Sequence, residues 1–167
     1  MAPGDVYFIS AGTVHAIGSG ILICEIQQSS ACTYRMYDYG RKDRFGNYRE
    51  LHLQKALDVM DCRPYVPQKF EAGVEKWEQY ESRLLCCCKY FISTHYHIIG
   101  EMELAATEES FISIVCIKGN GRLGLKDGEA EEMNFQAGES MFLPKSEKIY
   151  RIAGECEVIV TRVKKKL

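Results

Sequence analysis

Gly4-Asp5-Val6-Tyr7-Phe8-Ile9-Ser10-Ala11-Gly12-Thr13-Val14-His15 opens the chain and decides the reading of its fold. Val6 to Ile9 are β-branched and aromatic, the composition of a strand. Ser10-Ala11-Gly12 reads as a tight turn, and His15 stands at its far edge as a candidate metal ligand. The pattern returns as Gly138-Glu139-Ser140-Met141-Phe142-Leu143-Pro144-Lys145-Ser146. Gly138 aligns with Gly4, Pro144 with Ser10, Ser146 with Gly12 and Ile149 with His15, an offset of 134 positions. That spacing is typical of whole domains. It predicts two β-barrels of one type, the first represented by its last strands alone. The second, with Ile149 in the histidine position, is expected to survive as structure without a metal.

The bulk numbers fit an ordinary soluble chain: 167 residues, 46% hydrophobic, 26% charged, formal net charge -2. With no basic stripe interleaved with aromatics, no nucleic-acid partner is expected. No apolar run approaches the roughly 20 residues that span a bilayer, so no membrane association is expected. The N-terminus lacks a basic-then-apolar signal pattern. Lys164-Lys165-Lys166 reads as a solvated tail. Eight cysteines occur without a C-x-x-C pair, which argues against a zinc ribbon. They read as reduced thiols in a cytoplasmic protein.

Three strands are expected near the start, at Val6–Ile9, Ile21–Ile26 and Thr33–Tyr37, with turns at Gly18-Ser19-Gly20 and Gln28-Ser29-Ser30. Arg49 to Met60 carries Leu53, Ala56, Leu57 and Met60 at helical spacing, and Pro64 and Pro67 stop it. From about Arg83 the pattern returns to strands: Leu84 to Ser93, Ser110 to Ile117, Gly121 to Leu125, Ser140 to Leu143 and Val158 to Val163. Gly119-Asn120-Gly121 and Asp127-Gly128 read as the turns between them. That rhythm argues for a sandwich or small barrel.

Two charged residues stand out in apolar surroundings. Glu25 lies in Ile21-Leu22-Ile23-Cys24-Glu25-Ile26, and Arg35 is flanked by Tyr34, Met36 and Tyr37. A buried carboxylate needs a cation or a metal beside it. If these segments pair as hairpins, strand alternation places His15, Glu25 and Arg35 on one face. A buried Glu25–Arg35 salt bridge is the structural alternative. His52 reads as a helix-surface or capping residue. His95-Tyr96-His97 followed by Glu101 reads as a surface strand entering a Gly100-Glu101 turn.

At this point the residues resemble a known family. The opening pattern resembles the second conserved motif of the cupin barrels, with Ser10 where proline is usual. H-x-H followed by glutamate is what a cupin's first motif contains, but its glutamate slot, seven residues before Gly119, falls on Ile112. The strings Ser10–Ala16, Glu25–Ser30, Tyr34–Tyr39 and Arg49–Asp58 resemble the type I mannose-6-phosphate isomerases of the short bacterial form, in their C-terminal portion. The resemblance implies an all-β fold: a C-terminal cupin jelly roll over residues 83–167, preceded by the last strands of a second cupin barrel over 1–48, with a helix and linker over 49–82. It implies a zinc-dependent aldose–ketose isomerase acting on a sugar phosphate. His15 matches a zinc ligand, Arg35 the active-site arginine, Glu25 an acidic pocket residue suited to proton transfer, and Arg41 a basic position that attracts the phosphate. The remaining zinc ligands belong to the family's upstream half, so this chain is expected to be a fragment, inactive alone and self-associating through its exposed N-terminal strands. The alternative is a non-catalytic sugar-binding or interaction module that needs a separate N-terminal chain.

Overall fold

The computed structural model describes residues 2–30, 32–68, 73–128 and 131–164. The chain divides into two compact units, Met1–Gln68 and Lys69–Leu167. The expected tail at Lys165 and Lys166, and part of the expected linker at 69–72, lie outside the described residues.

The second unit is an eight-stranded antiparallel sheet of jelly-roll type. Its strands are β1 (Val74–Lys76), β2 (Tyr80–Cys87), β3 (Phe91–Ile98), β4 (Glu101–Ala105), β5 (Ile112–Leu125), β6 (Met133–Gln136), β7 (Ser140–Leu143) and β8 (Ile149–Val163). They run in the order β1-β2-β3-β8-β5-β6, with β4 also on β8 and β7 on β5. The 15-residue β8 is the central element, hydrogen-bonded to β3 and β4 along one edge and to β5 along the other. Alternate residues of these strands face inward. Ile98, Ile112, Ile114, Ile152, Val158 and Cys116 are almost wholly enclosed, with Met102, Leu104, Leu123, Phe135, Met141 and Leu143 completing the core.

Two local expectations are corrected here. Leu84 to Ser93 is not one strand: β2 ends at Cys87, and the chain turns through Cys88, whose Sγ accepts the Tyr90 and Phe91 amides. Gly119-Asn120-Gly121 is not a turn: β5 runs through it as one 14-residue strand with a register shift between Cys116 and Lys118. Gly119 absorbs that shift at φ +75, where a Cβ would meet the Glu155 carbonyl oxygen at 2.1 Å.

The first unit holds one helix, α1 (Leu53–Val59), shorter than the amphipathic stretch that contains it. Its described remainder holds turns and segments without a ladder: Val6–Ile9, Ile21–Ile26 and Thr33–Tyr37 form no strand, and only isolated bridges occur, Thr13 with Asp61 and Lys42 with Tyr48. The composition suits a strand, but a strand requires a hydrogen-bonded neighbour, and no described residue supplies one. Within residues 2–68, Asp38 and Ala56 are the only described residues that are buried, and Leu22 is 100% exposed.

The sequence repeat is also a structural one. Gly4 and Gly138 share a left-handed backbone, φ +90 and +91. The Asp5 amide donates to the Ala2 carbonyl at 3.1 Å, and the Glu139 amide to the Gln136 carbonyl at 3.1 Å. The Ala2 amide donates to Asp5 Oδ2 at 2.8 Å, and the Gln136 amide to Glu139 Oε2 at 2.8 Å. Each pair differs by the same 134 positions.

Candidate functional site

Arg35 is held from four directions, and the local sequence explains each. Its amide donates to His52 Nδ1 at 3.2 Å, and its carbonyl accepts the His52 amide at 2.7 Å. His52 is the residue before the first turn of α1, but its side chain bonds Arg35 and leaves the helix uncapped. The Arg35 guanidinium donates to the Glu50 carbonyl at 2.9 Å through Nη1, and its Nε lies 3.8 Å from Asp38 Oδ1. The side chain is 18% exposed, so it is fixed at the surface and not sealed inside.

Asp38 organises the rest. Its Oδ1 faces three guanidinium groups: Arg35, Arg49 Nη1 at 3.5 Å, and Arg41 Nη2 in a very short hydrogen bond. Arg41 reaches it because Asp38-Tyr39-Gly40-Arg41 is a tight turn, the Arg41 amide donating to the Asp38 carbonyl at 3.0 Å. Both central residues, Tyr39 (φ 54) and Gly40 (φ 65), adopt the left-handed conformation. That is natural for glycine and uncommon for tyrosine. The Arg41 hydrogen bond, with the charges of Arg41, Arg49 and Arg35, holds the Asp38 carboxyl below its usual range. Three guanidinium charges against one carboxylate leave this surface positive, the electrostatics of an oxyanion site.

The other predicted residues are not gathered around it. His15 is exposed, its Nδ1 donating to the Thr13 carbonyl at 2.8 Å, which leaves Nε2 as the ring nitrogen available to a ligand. Glu25 is exposed and has no hydrogen bond or ion pair among the described residues, so the expected burial against a cation is not seen. The physical reason is the missing ladder: without flanking strands, Ile21–Ile26 has no buried side. The salt-bridge alternative fails with it, since Arg35 pairs with Asp38. No three His, Cys, Asp or Glu side chains among the described residues are grouped to hold a metal ion. The described residues therefore do not by themselves fit a zinc centre, which takes about three protein ligands.

Sequence reasoning flagged Arg35 and Arg41 but missed Asp38 and Arg49. The available signal was Asp38-Tyr39-Gly40-Arg41 itself, whose glycine marks a turn that returns an arginine to an aspartate.

His95 and His97 lie on β3 in the second unit. His95 is half-buried and meets Glu157 Oε2 at 3.0 Å, while Lys118 Nζ meets Glu157 Oε1 at 2.9 Å. Burial pushes the His95 pKa down, against the upward pull of Glu157. All eight cysteines carry free thiols. Among the described residues no helix is long and apolar enough to cross a membrane.

The chain is similar in sequence and in structure to known proteins. Residues 81–163 match the family model "Mannose-6-phosphate isomerase, cupin domain". The chain is 38% identical over 161 residues to mannose-6-phosphate isomerase ManA of Bacillus subtilis, covering 96% of this chain and 50% of that protein. It is 30% identical over 158 residues to mannose-6-phosphate isomerase of Streptococcus mutans, covering 95% of this chain and 48% of that one. The crystal structure of mannose 6-phosphate isomerase from Bacillus subtilis superposes with a TM-score of 0.64 at 31% identity, covering 77% of this chain and 39% of that chain. The chain thus spans about half the length of the curated relatives it matches. With a jelly-roll unit that the cupin-domain model matches and a 134-residue repeat of cupin type, the chain belongs to the mannose-6-phosphate isomerase family.

Proposed function

We propose that this chain supplies the arginine-bearing part of an isomerase that interconverts mannose 6-phosphate and fructose 6-phosphate, and that it is inactive alone. The observation that carries the reading is the fixed, partly exposed Arg35 within a cluster of three arginines, in a member of this family.

The reaction moves a proton between C2 and C1 through a cis-enediol. Negative charge builds on the sugar oxygens as C–H breaks. A guanidinium held by the Glu50 carbonyl and Asp38, on a backbone pinned by His52, meets that charge without reorganising, the economical form of electrostatic catalysis. Arg41, 61% exposed and anchored at one end by Asp38, is free to donate to the phosphate. Glu25 is of the right type for proton transfer once a pocket forms around it. His15, with Nδ1 engaged by the Thr13 carbonyl, would give one bond to zinc through Nε2, the other ligands coming from residues this chain does not contain. Free thiols at all eight cysteines favour a reducing compartment, the cytoplasm.

A coupled assay for fructose 6-phosphate formation tests this. The expected result is no turnover from the purified chain with zinc. Turnover is expected when the N-terminal half of a family member is added, and its loss by about 100-fold or more in kcat with Arg35→Lys, which keeps the charge and loses the planar fork. Normal turnover from the chain alone, or an unimpaired Arg35→Lys mixture, would overturn it.

A further inference from the structure

β2 runs out into three consecutive cysteines: Cys86 and Cys87 are its last residues, and Cys88 opens the turn to β3. Strand alternation places Cys86 and Cys88 on one face of the sheet and Cys87 on the other. The contacts follow that division. Cys87 Sγ lies 3.6 Å from Lys164 Nζ. Cys86 and Cys88 interact with each other, the Cys86 thiol hydrogen-bonding the Cys88 side chain in the sense that holds the proton on Cys86.

The two sulfurs that share a face are not equivalent. Cys86 is buried, and burial above all pushes its thiol up to about 12. It keeps its proton at neutral pH. Cys88 is half-buried, and its sulfur accepts the Tyr90 and Phe91 amides, both at 3.4 Å. Donors aimed at one sulfur stabilise a thiolate more than a thiol, because hydrogen bonds to a charged acceptor are the stronger ones. In the thiol form the Cys88 hydrogen is directed at the Phe91 carbonyl, 3.5 Å away, but that carbonyl also accepts the Cys88 amide at 3.0 Å. Losing the hydrogen therefore orphans no backbone group. A donor-rich, half-buried sulfur beside a buried, protonated one is the arrangement of an oxidisable thiol and the thiol that resolves it.

We propose that Cys88 and Cys86 form a reversible oxidation site for hydrogen peroxide, with Cys88 as the attacking sulfur and Cys86 as the resolving thiol. The Cys88 thiolate attacks one peroxide oxygen, the O–O bond breaks and hydroxide leaves, giving a Cys88 sulfenic acid. The Cys86 sulfur then attacks the Cys88 sulfur. The S–O bond breaks, the departing hydroxide takes the Cys86 proton as water, and a Cys86–Cys88 disulfide remains. The sulfur pair gives up two electrons and the peroxide accepts them. Proximity drives the second step, since a thiol inert toward outside reagents meets a sulfenic acid two residues away on its own face. Access selects a small oxidant, because a half-buried sulfur admits peroxide more readily than a bulky alkylating agent. The free thiols are the resting form, and a dithiol reductant restores them.

The full chain, fully reduced, is treated with equimolar hydrogen peroxide near neutral pH, and its remaining thiols are blocked after unfolding. Trypsin then releases the peptide 84–89, which follows Arg83, ends at Lys89 and carries all three cysteines. That peptide is expected to lose two hydrogens by mass spectrometry and to regain them with dithiothreitol. Cys87→Ser is expected to keep this behaviour. Cys86→Ser is expected to stop at a Cys88 sulfenic acid, which dimedone traps, and Cys86→Ala repeats the test where serine disturbs the buried position. Cys88→Ser is expected to form no disulfide and to slow oxidation of the peptide at least about tenfold. The emission of Trp77 checks that each variant keeps the fold of the second unit. Loss of the disulfide in Cys87→Ser, its survival in Cys88→Ser, or oxidation of Cys32 and Cys62 with none at 84–89 would each overturn the proposal.

Discussion

Gly119 and Gly138 offer a matched pair of substitutions that separates backbone strain from steric exclusion. Both have left-handed φ, +75 and +91, so an alanine at either site carries the conformational cost of an L-residue there, about 1–2 kcal/mol. They differ in surroundings. At Gly138 an added Cβ meets nothing within 4 Å. At Gly119 it would stand 2.1 Å from the Glu155 carbonyl oxygen and 3.0 Å from Cys156 Cα, both backbone atoms of the central strand. Neither can rotate away, so β5 and β8 must separate at the Gly119–Cys156 pair. Forcing atoms into a packed site typically costs a further 1–3 kcal/mol or so. Gly138→Ala is therefore expected to lose about 1–2 kcal/mol and Gly119→Ala about 2–5 kcal/mol. The chain's single tryptophan, Trp77, stacks on Tyr80 at 4.6 Å between ring centroids at the start of the sheet, so its emission in urea reports this unit. The midpoint shift at constant m gives each difference. Equal costs for the two variants would refute the close approach of the two strands.

Other outcomes follow from the same coordinates. Ile152, wholly enclosed, should lose about 2–5 kcal/mol of stability on Ile152→Ala in the same urea series. His95, its pKa lowered chiefly by burial, stays neutral in the fold, while the unfolded chain takes up a proton near pH 6.5. Its contribution is thus complete above about pH 6.5 and declines as pH falls from there toward the folded-state pKa. Glu157→Gln removes the upward pull, so the His95 ring titration seen by NMR should move to still lower pH; a rise would refute the assignment. Cys32 and Cys62, both exposed, should alkylate first at pH 8, whereas Cys86 and Cys156, pushed up to about 12 and about 11 chiefly by burial, should stay unmodified by mass spectrometry.

Legibility followed locality. Ser140–Leu143 was readable as a strand because glycine and proline bracket an apolar run, and it is β7 residue for residue. Asp127-Gly128 was readable as a turn, and the Gly128 amide does close on the Leu125 carbonyl at 3.1 Å. The hairpin inside Leu84–Ser93 was hidden because a thiol, and not glycine or proline, satisfies its turn amides. Gly119-Asn120-Gly121 misled for the opposite reason: glycine there serves close strand approach within β5. In the first unit the strand-like composition was read correctly as composition. Pairing, however, is a property of two segments, and the second segment is not among the described residues. The arginine cluster was half legible. Arg35 stood out by charge in aromatic surroundings and Arg41 through the family resemblance, but Asp38 gains its meaning only through a turn that requires tyrosine at positive φ.

The repeat also bears on which residues belong to chemistry and which to scaffold. The two copies share turn hydrogen bonds, glycine conformations and apolar inward positions, the features that specify a barrel edge. They part company at the candidate functional positions. His15 corresponds to Ile149 and Glu25 to Ile159. Ile159 is buried at 8% exposure, so the second copy fills with hydrocarbon a place where the first carries a carboxylate. A carboxylate at a position that can be enclosed lowers stability unless something charged meets it. Scaffold requirements alone therefore favour isoleucine at the position of Glu25, as buried Ile159 shows, while Ile149, the counterpart of His15, is exposed. The carboxylate of the first copy therefore needs a reason other than the scaffold. By strand alternation Glu25 lies opposite Leu22, Cys24 and Ile26, and hairpin pairing keeps it on the face of Arg35; a one-residue bulge between the two would part them. β5 makes such a shift between Cys116 and Lys118.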